Sequence, residues 1–227
     1  MPTLQTSGTT GSPKSYVLTD AMIAARVKDI ARVRPPGWAD LTSLYNDYGA
    51  RPGVLRDTAW MQARSGKLFR PLATFAETVE QFKANNIQGV FGPAPGLVRF
   101  ATALQGSGYK PLIIASSTAT LTEDMSRAIR AGFGCDNLWN IYSVGECGTI
   151  AMATAAQVEA TPGCVGKVCE GVELRIEGGE IQVKTPIMVK EYVDPKMTAA
   201  KFVDGWFRTG DKGSMAQDGT LIYEGRL

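Results

Sequence analysis

The feature that most constrains this fold is an alternation of helical and strand-like apolar spacing that changes character once, at Thr161-Pro162-Gly163. Before that point, up to about Thr154, helical patterns alternate with short apolar runs. Ile23, Val27, Ile30 and Val33 fall on one helical face, and Pro35-Pro36-Gly37 is placed to stop that helix. Phe75, Val79 and Phe82 repeat the spacing, with Thr74 and Glu77 in front of them as a capping-box pair. Ile87-Gln88-Gly89-Val90-Phe91 and Pro111-Leu112-Ile113-Ile114-Ala115 read as buried strands. Met125, Ile129 and Phe133 mark the next helix, and Leu138 to Tyr142 a further strand. Strands separated by helices require parallel crossovers, hence an α/β layer.

Beyond Gly163 the period is two. Val172, Leu174 and Ile176 alternate with Glu173 and Arg175, Gly178-Gly179 marks a turn, and Ile181 and Val183 alternate with Gln182 and Lys184. Asp218-Gly219 precedes another short strand, Thr220 to Tyr223. The expected fold is α/β, with a parallel-sheet subdomain over residues 1–158 and a small β-rich subdomain over residues 159–227.

Composition narrows the function classes. A hydrophobic fraction of 44% and a charged fraction of 20% in 227 residues fit a soluble globular chain with a sizeable core. The net charge of +2 is spread without a basic block, so neither a nucleic-acid surface nor a polybasic membrane surface is expected. No apolar run reaches membrane-spanning length, and the first residues lack the pattern of a signal peptide, so a cytoplasmic location is expected. Cys135, Cys147, Cys164 and Cys169 form no Cys-x-x-Cys pair and read as reduced thiols, with a zinc site on Cys164 and Cys169 as the minor alternative. The chain has no histidine, which removes every Ser-His or Cys-His mechanism and every His-ligated metal.

Thr6-Ser7-Gly8-Thr9-Thr10-Gly11-Ser12-Pro13-Lys14 carries the most chemical information. Its small residues let backbone amides approach an anion, its hydroxyls add donors, and Lys14 adds positive charge after the turn. It is not the P-loop pattern Gly-x-x-x-x-Gly-Lys-Ser/Thr. A flexible Ser/Gly surface loop is the plain alternative.

The order of those residues resembles the signature phosphate loop of the adenylate-forming enzymes, the group of acyl-CoA synthetases, peptide-synthetase adenylation domains and luciferases. Asn140-Ile141-Tyr142-Ser143-Val144-Gly145-Glu146 resembles that family's Tyr-Gly-x-Thr-Glu motif, and Gly205-Trp206-Phe207-Arg208-Thr209-Gly210-Asp211 a second one. Tyr223-Glu224-Gly225-Arg226-Leu227 looks like the start of its hinge motif. The resemblance runs from Leu4 to Leu227.

The resemblance implies a site for ATP and Mg²⁺. Thr6, Ser7, Gly8, Thr10 and Gly11 would cradle phosphate, with Thr9 and Lys14 acting on the reacting group. Tyr142 would lie against adenine, Asn140 would bond its edge, and Ser116 and Ser117 would pack beside it. Glu146 would hold Mg²⁺, which prefers carboxylate oxygen. Asp211 would accept both ribose hydroxyls, and Arg226 would contact ribose or phosphate. Plainer alternatives stand beside these roles: Tyr142 as core, Ser116-Ser117 as an ordinary strand-to-helix loop, Thr209-Gly210-Asp211 as a turn, Arg226 as a solvated cation. Val90-Phe91-Gly92-Pro93-Ala94-Pro95 matches part of the acyl pocket, where small apolar side chains suit an aromatic or short aliphatic acid, with amino acids left open.

Several positions depart from the family pattern. Ser143 stands for its glycine and Gly145 for its threonine, a donor near the α-phosphate. Leu18-Thr19-Asp20 stands where many members have Leu-Thr-His; an Asp there is similar to the phenylacetate-CoA ligase branch, and a helix N-cap is the preferred role for Thr19 or Asp20. Family members are longer at both ends, so the chain is expected to lack a first α/β subdomain and the mobile C-terminal domain with its catalytic lysine. The expected function is a minimal ATP-dependent, carboxylate-activating enzyme making an acyl- or aminoacyl-AMP. The alternative is a catalytically impaired nucleotide or acyl-adenylate binding module or partner subunit. A small-molecule carboxylate is the expected substrate, and a homodimer or a partner protein supplying the missing parts is expected to cover exposed apolar surface.

Overall fold

The structure is a computed structural model. It describes residues 3–6, 14–30, 32–48 and 52–227, with backbone alone for 3–6, 14 and 52–54. Strands β1 (Thr3–Thr6) and β2 (Lys14–Val17) form a separate antiparallel pair in which Thr6 faces Lys14. Helix α1 (Asp20–Lys28) follows, capped by the Thr19 side chain, which accepts from Met22 N at 3.2 Å. The helix stops at Lys28 rather than running on to Val33. Arg34 precedes Pro35, where helical backbone clashes with the proline ring, so the chain must leave the helix earlier. Ile30 and Val33 are still buried, at 3% and 1% exposure, in the turn that follows.

Strand β3 (Ser43–Asn46), helix α2 (Pro52–Ala63) and strand β4 (Lys67–Phe69) come next, then helix α3 (Phe75–Asn85). The expected capping box is present: Glu77 N donates to Thr74 Oγ1, and Thr74 N donates to Glu77 Oε2. Strand β5 (Gly89–Gly92), helix α4 (Ala94–Leu104), strand β6 (Ile113–Ser117), helix α5 (Glu123–Phe133) and strand β7 (Leu138–Val144) complete the alternating part. β4, β3, β5, β6 and β7 run parallel, as crossovers demand.

Successive strand residues face opposite sides. Tyr45, Val90, Ile114 and Leu138 join the core beneath α3, α4 and α5. Leu44, Phe91, Ile113, Ala115 and Ile141 join a second core with Trp38, Trp60 and Met61 on the other side. A parallel sheet covered on both faces reads as continuous apolar runs, and so these strands do.

The chain then turns back. Strand β8 (Gly148–Thr154) pairs antiparallel with β7. Helix α6 (Ala155–Ala160), strands β9 (Cys164–Val168), β10 (Glu173–Glu177) and β11 (Glu180–Lys184), helix α7 (Pro195–Lys201), and strands β12 (Phe202–Val203), β13 (Trp206–Met215) and β14 (Thr220–Arg226) follow. The β10–β11 hairpin turns on Gly178 and Gly179, whose φ angles of 59° and 82° fit a two-residue turn that matches strand twist.

Both sequence patterns end up in one twelve-stranded sheet, in the order β10-β11-β13-β14-β9-β8-β7-β6-β5-β3-β4, with β12 beside β13. Strand β7 is the junction, parallel to β6 on one edge and antiparallel to β8 on the other. Residue 158 lies inside α6, and β8 pairs with β9 across it. Gly166 makes that pairing possible: its φ is +86°, and a Cβ there would sit 1.8 Å from Met152 O. All four cysteines are buried free thiols. Among the described residues, no helix is long and apolar enough to cross a membrane.

Candidate active site

Ligands of open α/β sheets bind outside the carboxyl ends of the parallel strands. Here those ends are Gly92 on β5, Ser117 on β6 and Val144 on β7. The β7–β8 hairpin extends past them and carries Glu146 at its tip. Gly148 closes that turn with φ +83°, where a Cβ would come within 3.0 Å of Ile187 Cδ1. Two polar centres flank the hairpin.

The first centre joins β7 to β13 and β14. Tyr142 Oη donates to Asp211 Oδ2 at 2.7 Å, and Arg226 Nη1 donates to Asp211 Oδ1 at 2.7 Å. Asp211 and Arg226 are register partners on β13 and β14, so the ion pair follows from strand pairing. Asp211 N donates to Thr209 Oγ1 at 3.0 Å, and Thr209 Oγ1 donates to Ile181 O at 2.7 Å, which fixes the strand before the carboxylate; Thr209-Gly210-Asp211 is part of β13 and not a turn. Burial, then the Asp211 carboxylate, push the Tyr142 hydroxyl far above its ordinary range, so it stays a proton donor. The Tyr142 and Tyr223 rings lie 6.1 Å apart at 41°.

The second centre surrounds Glu146, which is 5% exposed. Tyr192 Oη donates to Glu146 Oε1. Arg26, from α1, donates to Gly145 O at 3.1 Å, Glu146 O at 3.1 Å and Ile187 O at 3.3 Å. Val189 N also donates to Glu146 O, at 2.9 Å. Burial lowers the pKa of Arg26, opposed chiefly by Tyr16.

The remaining expected residues sit as follows. Asn140 is 7% exposed, and its amide Nδ2 donates to Cys164 O at 3.2 Å, into the sheet. Ser117 Oγ lies 2.9 Å from Ser143 Oγ, while the Ser116 hydroxyl is buried without a hydrogen-bond partner among the described residues. Thr6 and Lys14 close the mouth of the loop between β1 and β2. Ser7, Gly8, Thr9, Thr10 and Gly11 lie outside the described residues. Val90, Phe91 and Ala94 of the expected acyl-pocket segment pack into the two cores.

Sequence reasoning missed Arg26 and Tyr192. Arg26 had a signal: it stands on the apolar face shared by Ile23 and Ile30, where a charge is out of place. Tyr192 had none, since residues 185–193 show no period. A further buried group, Asn46, Arg34, Arg56 and Asp57, went unread. Asn46 Nδ2 donates to Asp57 Oδ2 at 2.9 Å, and Arg56 Nε to Asp57 Oδ1 at 2.9 Å. Arg34 Nη1 donates to Thr149 Oγ1 at 2.9 Å, which ties α1's exit to β8. Burial pushes the Asp57 carboxyl up, with Arg56 opposing.

Residues 4–193 match the AMP-binding enzyme family. The chain is similar to a malonate–CoA ligase of Arabidopsis thaliana, 38% identical over 97% of this chain and 41% of the relative. It is 29% identical to an oxalate–CoA ligase of the same plant, over 99% of this chain and 47% of the relative. Among solved structures, a malonyl-CoA ligase in a ternary product complex with methylmalonyl-CoA and AMP superimposes with a TM-score of 0.76 at 27% identity, covering 99% of this chain and 52% of that one. The amide bond synthetase McbA from Marinactinospora thermotolerans gives 0.78 at 25% identity, covering 99% and 48%. The chain thus spans about half the length of the relatives it matches. Motifs, sheet topology and these likenesses agree: the chain belongs to the AMP-binding enzyme family.

Proposed function

We propose that this chain binds ATP at the β7–β8 hairpin and activates a carboxylic acid as its acyl-adenylate, releasing pyrophosphate. The observation that carries this reading is the joining of Tyr142, Asp211 and Arg226 by hydrogen bonds at the carboxyl end of the parallel strands. The proposed division into residues 1–158 and 159–227 is then functional: the first part brings the phosphate loop, Tyr142 and Glu146, and the second brings Asp211 and Arg226.

Each residue has a physical task. Asp211 accepts the ribose hydroxyls; an ionised carboxylate has about four acceptor sites, so its bonds to Tyr142 and Arg226 leave capacity. Tyr142 presents a ring to adenine, and Ser116 and Ser117 line the strand end beside it. Asn140 supports that wall from behind by binding β9. Thr6, Ser7, Gly8, Thr10 and Gly11 offer donors to phosphate, and Thr9 and Lys14 meet charge that develops at the α-phosphate. Arg226, whose side chain is half-exposed, would switch from Asp211 to the ribose or a phosphate oxygen.

Glu146 fits Mg²⁺ in its chemistry: a hard oxygen donor whose Oε1 is committed to Tyr192 and whose Oε2 has no such bond among the described residues. Bound Mg²⁺ would offset negative charge on the phosphates. The names of the relatives point to carboxylates and CoA-type acceptors as the substrate chemistry. A homodimer or partner protein belongs to the same reading, because Val17 and Val193, at 38% and 61% exposure, lie on segments joined by the Val193 N to Ser15 O bond. Light scattering that finds only monomer at micromolar concentration would remove that part.

One observation favours binding without turnover. Gly145 stands where a hydroxyl donor is expected, and loss of one such donor costs about 2.7–4 kcal/mol of transition-state stabilisation in other systems. Pyrophosphate exchange into ATP over a panel of carboxylic acids decides between the readings. Exchange supports the enzyme; saturable ATP binding with no exchange supports the binding module.

A further inference from the structure

A carboxylate that holds a cation works only if its oxygens are aimed, and aiming comes from groups behind it. Glu146 is held at two levels. Its backbone carbonyl accepts from Arg26 Nη2 at 3.1 Å and from Val189 N at 2.9 Å. Its carboxylate has a separate donor, the Tyr192 hydroxyl, at Oε1.

Tyr192 is itself firmly placed. It is 4% exposed, and its ring packs edge-on against Tyr16 at 6.2 Å and Phe202 at 5.8 Å. Its backbone N–H donates to Thr198 Oγ1 at 2.9 Å, and that hydroxyl reaches back to Asp194 O at 3.1 Å. Tyr16 lies on β2, directly after the loop expected to meet phosphate, so the Tyr192 ring touches both that strand and the Glu146 carboxylate.

We infer that Tyr192 is a positioning residue: its hydroxyl fixes the Glu146 carboxylate so that Oε2 is presented to the divalent cation accompanying the nucleotide. This rests on the proposed ATP site. Without the hydroxyl the carboxylate gains a rotational degree of freedom, and Oε1 competes for the cation or turns to other donors.

The test uses the full chain and follows thermal unfolding with ATP at fixed concentration while Mg²⁺ is varied, with AMP and EDTA as the metal-free arm. Mn²⁺ in place of Mg²⁺, with free Mn²⁺ read by electron paramagnetic resonance, gives a direct binding readout. Tyr192→Phe is expected to raise the half-saturating metal concentration about tenfold or more, while the AMP shift in EDTA stays as in wild type. Phe202→Leu, which disturbs the ring packing but no hydroxyl, is expected to lower stability and leave the metal half-point unchanged. If Tyr192→Phe fails to fold, Thr198→Val loosens the same residue and is expected to raise the half-point by a smaller factor.

Equal half-points for wild type and the Tyr192 and Thr198 variants overturn the inference while the ATP reading stands. A wild type whose ATP shift ignores Mg²⁺ and Mn²⁺ overturns the role of Glu146 and the inference with it. A Tyr192→Phe protein that loses AMP and metal responses in equal measure also overturns it, since that pattern marks a merely structural tyrosine.

Discussion

The two polar centres on the β7–β8 hairpin are built from similar parts and held in different ways. Asp211 is paired with an arginine whose side chain is 49% exposed, so its partner can swing into solvent. Glu146 stands on an arginine that is 4% exposed and grips three carbonyls. The Asp211 centre therefore has one partner that can let go, whereas the Glu146 centre is fixed through the backbone. The proposed site, which would admit a nucleotide and hold a cation in one geometry, gains from this division.

The comparison breaks most severely at Arg26. Arg26→Ala takes the side-chain donor from the half-buried carbonyls of Gly145 and Ile187 and leaves the Glu146 carbonyl with Val189 N alone. At about 1–3 kcal/mol for each carbonyl left unsatisfied, the two that lose this donor outright predict a loss of about 2 kcal/mol or more in urea unfolding. A loss under about 1 kcal/mol would mean that water reaches those carbonyls and that the hairpin tip is not rigid.

Tyr142→Phe should come next. It removes one hydrogen bond to a buried carboxylate, worth about 1.5 kcal/mol in the range for charged acceptors. The same denaturation assay reads it, and ATP affinity should fall only modestly because the ring remains.

Arg226→Ala should separate the two centres. Its half-exposed guanidinium limits what the ion pair with the buried Asp211 contributes to about 1 kcal/mol after solvent screening, yet the variant should weaken ATP binding several-fold in a calorimetric titration. A large stability loss without an affinity change would reverse the comparison and make Arg226 structural.

The smallest effect lies away from both centres. The Ser126 hydroxyl, then Arg130, hold the Glu159 carboxyl below its ordinary value of 4.5. A depressed folded pKa contributes stability above the unfolded pKa and loses it as pH falls through the folded one. Amide protection factors in α5 and α6 should therefore fall below about pH 4.5, and Glu159→Gln should flatten that response while protection of the hairpin amides stays unchanged.

Local rules carried much of this fold. Thr74 and Glu77 form the capping box, Gly178 and Gly179 turn the β10–β11 hairpin, and Met125, Ile129 and Phe133 lie on α5 as their spacing requires. The end of α1 was misread because periodicity continued to bury Ile30 and Val33 after the helix had stopped. The single continuous sheet was not legible at all. The pairing of β9 with β14, Cys164 opposite Ile222, joins residues too far apart for any local pattern to report. In the site, Tyr142, Glu146, Asp211 and Arg226 stood out because each lies in a compact motif. Tyr192 did not, because its meaning comes from a contact across 46 residues.

The most direct measurement is a thermal-unfolding titration of wild type and Asp211→Ala with MgATP. At about 100 times its dissociation constant a ligand stabilises by roughly 2.7 kcal/mol. A rise of that size in wild type, lost in Asp211→Ala while the variant keeps its fold, is the predicted result. An equal rise in both proteins, or none in wild type, would contradict the proposed nucleotide site.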